Sequence, residues 1–198
     1  MASLLYSSPL LLGLALRIKY GRFYGIRLER VSKEVLDGSK VVDLCCGDCA
    51  IYLRCLRRKR VDYLGVDVNR RMVRLMKRRG IQVLHADVRS YNLPPCDVLL
   101  CLASLYQFSD KAAHLIQSAQ DIADKVVLLE PVENLACSKY PWAASLAAKI
   151  TDFGEGPVSF RFEEEELTDM WRHLGFTTIE RIGPELLGIW SRSGVRVS

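Results

Sequence analysis

The 198-residue chain has little of what would settle its class at once: three histidines, no pattern Gly-x-x-x-x-Gly-Lys-Ser/Thr, and no Gly-x-Gly-x-x-Gly. The first missing pattern excludes a P-loop nucleotidase, and the second weighs against dinucleotide binding. No apolar run approaches the roughly 20 residues that span a bilayer. The stretch Leu10 to Leu16 has no basic segment before it and is followed by the positive charges, unlike a secretory leader. A disulfide frame is also unlike this sequence. The seven cysteines (45, 46, 49, 55, 96, 101 and 137) are odd in number and several lie in apolar runs, which fits reduced, buried thiols and a cytoplasmic setting. The net charge of +5 comes from 28 basic and 23 acidic residues, too small an excess to demand a nucleic-acid partner. With 49% hydrophobic and 26% charged residues, the chain has the balance of a single globular domain spanning 1–198.

What is present is a series of short apolar runs between residues 40 and 131. They are Val41 to Cys45, Tyr63 to Asp67, Ile81 to Leu84, Asp97 to Leu102 and Lys125 to Glu130. Continuous runs of this kind are strands buried on both faces. Helical periodicity between most of them implies parallel β-α-β units with helices on both sides of an α/β sheet. Ser109 to Ala123 is one such helix, with Ser109 or Asp110 as its N-cap. One link is odd, since only Arg89 to Pro95 separate the third and fourth runs, short for a parallel crossover. Before this middle lie an apolar helix opened by Ser8-Pro9 and an amphipathic stretch from Gly25 to Leu36. After it, Glu163 to Leu174 reads as a helix closed by Gly175. Two final runs, Thr177 to Ile182 and Gly188 to Arg192, meet across Gly183-Pro184 and can pair only as an antiparallel hairpin.

Chemistry concentrates at Val41-Val42-Asp43-Leu44-Cys45-Cys46-Gly47-Asp48-Cys49, a buried strand, an acidic residue, a tight turn with glycine and then a helix. Such a turn offers backbone N–H groups to a ligand at the carboxyl ends of the strands. Asp67 closes the next strand 20 residues after Gly47, where a carboxylate can take both hydroxyls of a ribose. Asp87, in Ala86-Asp87-Val88, follows the third. Three carboxylates at strand tips describe a nucleoside site with little provision for phosphate.

These residues, in this order, resemble the class I S-adenosylmethionine-dependent methyltransferases, in their small-molecule branch. Asp43 to Cys49 resembles the first motif, Tyr63 to Asp67 the second, Ala86 to Val88 the third and Asp97 to Phe108 the fourth. The resemblance implies a Rossmann-like, doubly wound, seven-stranded sheet, mostly parallel with an antiparallel strand in the C-terminal hairpin. It divides the domain into an N-terminal helical lid (1–37), a cofactor-binding half (38–131) and an acceptor-side segment with the hairpin (132–198). It implies S-adenosylmethionine as cofactor, with Asp43, Cys45, Cys46 and Gly47 around its methionine part. Asp67 would hold the ribose, Val68, Asp87 and Val88 the adenine, and Cys101 to Ser104 would face the sulfonium. Tyr20, Arg22 and Tyr24 would belong to the lid. Cys45 and Cys49 stand where the family has glycine.

Candidates for a base, if the acceptor needs one, are Tyr106, Glu130 and Glu133. Tyr140 and Trp142 either shape an acceptor pocket or belong to the core. The expected acceptor is a small or lipid-like molecule, because Leu102 to Phe108 lacks the Asn/Asp-Pro-Pro-Tyr pattern of enzymes acting on bases or glutamine. Alternatives are a non-catalytic nucleoside binder and, less well matched, a nicotinamide-dependent oxidoreductase. Cys45, Cys46, Cys49 and Cys55 lie on one strand–turn–helix, not in the two separated pairs of structural zinc, so no metal is expected. The basic cluster 54–79 reads as a solvated helix face rather than an RNA or anionic-lipid patch. Leu10 to Ile18 either packs on the domain or lies against a membrane surface.

Overall fold

The computed structural model describes residues 9–132, 160 and 162–192. Pro9 does open the first helix, α1 (Pro9–Tyr20), its fixed φ and missing N–H costing nothing in a first turn. Helix α2 (Phe23–Ser32) follows after Gly21. Then come β1 (Lys40–Leu44), a π-helical stretch (Tyr52–Leu56), β2 (Asp62–Asp67), α3 (Arg70–Arg78), β3 (Val83–His85) and β4 (Cys96–Leu102). The rest comprises a 3-10 helix (Leu105–Lys111), α4 (Ala112–Ile122), β5 (Ala123–Pro131), α5 (Glu164–His173), β6 (Thr178–Ile182) and β7 (Glu185–Ser191).

The strands form one seven-stranded sheet in the order β3-β2-β1-β4-β5-β7-β6. The first five are parallel, and β7 runs antiparallel to both β5 and β6. The hairpin turns across Gly183-Pro184 as its sequence required. Gly183 takes φ +59, the conformation a two-residue hairpin turn needs at its first position. Strand β7 begins at Glu185, three residues before the expected Gly188, because its pairing with β5 extends to Pro131.

Two other details depart from the sequence reading. Helix α4 starts at Ala112 with Lys111, not Ser109 or Asp110, in the N-cap position and no side-chain cap, because the 3-10 turns of Leu105–Lys111 precede it, kinked at Ser109 (φ +31). The short link before β4 contains no helix at all. Residues 86–95 cross from the edge strand β3 to β4 as irregular chain, with Ala86, Val88 and Leu93 packed against the α4/α5-side core. A helix-free link can be this short because extended chain covers about twice the distance per residue of a helix.

Each face of the sheet buries its own core. One joins α1, α2, the π-helical stretch and α3 through Tyr20, Leu28, Val31, Leu56, Met72 and Met76. The other joins α4 and α5 through Ile116, Ala119, Leu167 and Trp171. Helix α2 is bound to the antiparallel half of the sheet by charge as well. Arg27 (4% exposed) meets Glu185 of β7 (0%) at 2.7 Å, and Arg30 bridges Glu34 and Glu180 of β6. Lys125 of β5 reaches Glu34 at 3.1 Å. Breaking a buried pair such as Arg27–Glu185 leaves one uncompensated charge, a cost of about 3–5 kcal/mol. Helix α2 is therefore a fixed part of the domain.

On the opposite face, Trp171 lies flat on the backbone of β7 at Gly188, where a Cβ would sit 2.5 Å from the indole ring. Gly188→Ala is expected to lower stability by about 1–3 kcal/mol through overpacking, seen as a lower urea midpoint.

Candidate functional site

Strand order reverses between β1 and β4, both of which run parallel from the same edge, so a crevice opens above their carboxyl ends. The turn after β1 lines it. Cys45 (φ +54), Gly47 (φ +53) and Cys49 (φ +53) all adopt the left-handed conformation. The two cysteines thus take the backbone shape that glycine would, at a cost of about 1–2 kcal/mol each.

Asp67 holds this turn in place. Its Oδ2 accepts from the Gly47 amide at 2.8 Å and its Oδ1 from the Asn69 amide at 2.7 Å. One carboxylate thereby ties the β1 turn to the turn before α3, whose N-cap is Asn69, with Oδ1 receiving the amides of Arg71 and Met72. Burial raises the Asp67 pKa, opposed by these two amides and by His85. The His85 ring sits beside the same tip, with Nε2 3.0 Å from the Val68 carbonyl oxygen. Val68 itself is 44% exposed, an open aliphatic surface next to the Asp67 carboxylate.

Asp43 lies below the turn, 2% exposed, and accepts the Tyr63 hydroxyl at 2.6 Å. Burial pushes its pKa up to about 7; the Tyr63 hydrogen bond opposes this, while Asp67 and Asp48 add to it. No sequence signal pointed to Tyr63, because the pairing depends on strand register, with Tyr63 opposite Val41. Asp87 follows the end of β3 and is held in a fork by Arg89, at 2.7 to 3.0 Å, which draws its pKa down. Burial raises the Cys45 thiol pKa, and four carboxylates, Asp67, Asp43, Glu130 and Asp87, raise it further. The tips of β1, β2, β3 and β5 therefore bring negative charge to one place.

The remaining candidates are distributed unevenly. Glu130 is fully buried and receives the backbone amides of Leu105 at 2.9 Å and Tyr106 at 3.1 Å, so it anchors the start of the 3-10 helix. Tyr106 is 3% exposed. Cys101 is buried in the α4/α5-side core, and the β4 tip presents Ala103, at φ +55, and Ser104. Val88 is half-buried against that same core. Of the residues expected in a lid, Tyr20 is buried with the Arg27 guanidinium 4.2 Å above its ring. Burial and the nearby Glu185 push its hydroxyl pKa up. Tyr24 is buried under Arg54, while Arg22 is exposed and stacks on Phe23. Cys46 and Cys49 are buried thiols, and no cluster among the described residues has the makings of a metal site. Glu133, Cys137, Tyr140 and Trp142 lie outside the described residues.

The strand order, the reversed seventh strand and the acidic tips define a class I methyltransferase fold. Structural relatives agree. Magnesium protoporphyrin IX methyltransferase from Synechocystis PCC 6803, solved with bound S-adenosylhomocysteine, aligns with TM-score 0.65 at 16% identity, covering 96% of each chain. An O-methyltransferase family protein from Burkholderia thailandensis aligns with TM-score 0.62 at 17% identity, over 95% of this chain and 61% of the other. The mycolic acid cyclopropane synthase CmaA1 aligns with TM-score 0.62 at 14% identity, over 84% and 65%. No curated protein matches by sequence. Residues 41–124 match the family described as "Methyltransferase domain", and the described chain as a whole has the class I methyltransferase fold.

Two predictions follow the geometry of the turn. Asp43 has a folded pKa above its unfolded value of 3.8, so the folded state holds the proton more tightly and loses stability as pH rises from about 4 through about 7. Asp43→Asn, which still accepts from Tyr63, is expected to flatten that decline in melting temperature against pH. Cys45→Gly relieves the left-handed strain and is expected to leave the chain equally or more stable, by up to about 1 kcal/mol in chemical denaturation.

Proposed function

We propose that the crevice above β1 and β4 holds S-adenosylmethionine and that the protein transfers its methyl group in line to a small-molecule or lipid-like acceptor. The observation that carries this reading is the convergence of Asp43, Asp67, Asp87 and Glu130 on the β1 turn. A ligand with a sulfonium and an ammonium group carries net positive charge, and a ring of carboxylates attracts it. The same ring disfavours the phosphates of a dinucleotide. The cofactor supplies an activated methyl group, and its transfer needs chiefly that donor and acceptor be aligned.

The residues present fit that ligand. The Asp67 oxygens each use one acceptor position on an amide and retain capacity for ribose hydroxyls. Val68 offers an exposed aliphatic face to a flat ring, and Asp87, oriented by Arg89, stands beside it for an exocyclic amine. Asp43, buried below the turn, accepts the Tyr63 hydroxyl and adds to the acidic character of the site. Glu130 acts as a positioning residue, because both its oxygens are directed to backbone amides. It sets the path of the β4 tip, where Ala103 and Ser104 would border the acceptor. Helix α1, whose Gly13 lies beside Asp48 of the β1 turn, would form part of a lid over the site. The glycine-like backbone of Cys45 and Cys49 favours a working cradle over a degraded one.

Calorimetric titration with S-adenosylmethionine, S-adenosylhomocysteine and NAD is expected to show binding of the first two and none of the third. Asp67→Ala is expected to weaken S-adenosylmethionine about a hundredfold, two charge-assisted hydrogen bonds being worth roughly 1.5–3 kcal/mol each. Unchanged affinity would remove Asp67 from the site.

A further inference from the structure

The two sides of the sheet carry opposite charge. On the side of α1, α2 and α3, helix α3 presents Arg70, Arg71, Arg74, Lys77 and Arg78 to solvent, and Arg57 and Arg58 are exposed just before β2. None of these seven makes an ion pair with a described residue. On the other side, α5 opens on Glu163 to Glu166. The sequence reading took the basic cluster for a solvated face. The structure adds what stands beside it on the same helical layer.

Leu14 (57% exposed) and Ile18 (76%) lie one turn apart on the outward side of α1, and Ile26 of α2 is 49% exposed. Arg17 and Arg22, both exposed, lie between and beside them. Leu16 and Tyr20 fill the inward side of α1 and pack on the shared core. The outward aliphatic side chains are thus left over after the helix has docked. Aliphatic side chains flanked by cations, on a layer with a strongly basic neighbour, fit an interfacial surface that is apolar just beneath an anionic one. A nucleic acid offers phosphates and flat bases, which reward cations and aromatic or polar groups and leave Leu14 and Ile18 without a partner.

We infer that the outer face of α1, α2 and α3 docks on an anionic lipid bilayer, with Leu14, Ile18 and Ile26 entering the interface and the arginines of α3 meeting the headgroups. Helix α1 also borders the crevice: a Cβ at Gly13 would be 3.8 Å from an Asp48 carboxylate oxygen. Docking therefore brings the mouth of the methyl-transfer site to the membrane surface. The inference concerns the outer face and stands whether or not the acceptor is a lipid.

The test is flotation of the full chain with phosphatidylcholine vesicles, with and without phosphatidylserine, at low and high salt. Binding is expected only to vesicles with phosphatidylserine and is expected to fall at high salt. The triple change Arg74→Gln, Lys77→Gln, Arg78→Gln is expected to lower partitioning at least about tenfold. Ile18→Ser, far from the core, is expected to lower it several-fold with the melting temperature unchanged. Absence of binding to phosphatidylserine vesicles would overturn the inference. So would binding that Ile18→Ser leaves intact, and so would tighter binding of a single-stranded RNA oligonucleotide than of the vesicles by the same protein.

Discussion

One carboxylate holds the crevice together. Asp67 ends β2 and accepts the amides of Gly47 and Asn69, so the turn that lines the site and the turn that starts α3 share a single anchor. A carboxylate buried at a strand tip is costly unless backbone donors surround it. Here the donors come from two elements that would otherwise be free to move apart. The left-handed backbone at Cys45 and Cys49, the capped start of α3 and the exposed Val68 are all arranged around that anchor.

A second carboxylate repeats the device on the far side of the switch point. Glu130, at the end of β5, accepts the amides of Leu105 and Tyr106 and so fixes the loop after β4. Asp43, between them, is held by Tyr63 and not by an amide, and burial, with Asp67 and Asp48 nearby, raises its pKa against that hydrogen bond. The three acids thus do different work. Two set backbone, one sits below the turn as buried charge, and together they make the crevice negative. A cationic ligand suits such a site because it offsets repulsion that the folded chain otherwise carries.

The two N-terminal helices divide in the same physical terms. Arg27, Arg30 and Glu34 tie α2 to β5, β6 and β7 through pairs that are wholly or largely buried. Helix α1 has a narrower hold, through Leu16 and Tyr20, and leaves Leu14 and Ile18 in solvent. Position over the site and exposure to the outside therefore meet in one helix.

The sequence by itself determined the element order, the parallel sheet, the hairpin across Gly183-Pro184 and the acidic strand tips, because each rests on local patterning or on spacing of a few residues. Apolar runs of β4 and β5 can only be doubly buried strands, and Asp43, Asp67 and Asp87 occur where such strands end. Boundaries at Lys111 and Glu185 were decided by winding and by cross-strand pairing, which no local pattern encodes. The same holds for the partners. Tyr63 meets Asp43 through strand register, Arg27 meets Glu185 across 158 positions of chain, and Glu130 reaches amides 24 and 25 residues away. Only the tertiary structure shows that Glu130 accepts two backbone amides, since the donors a carboxylate meets depend on which elements the fold brings to it.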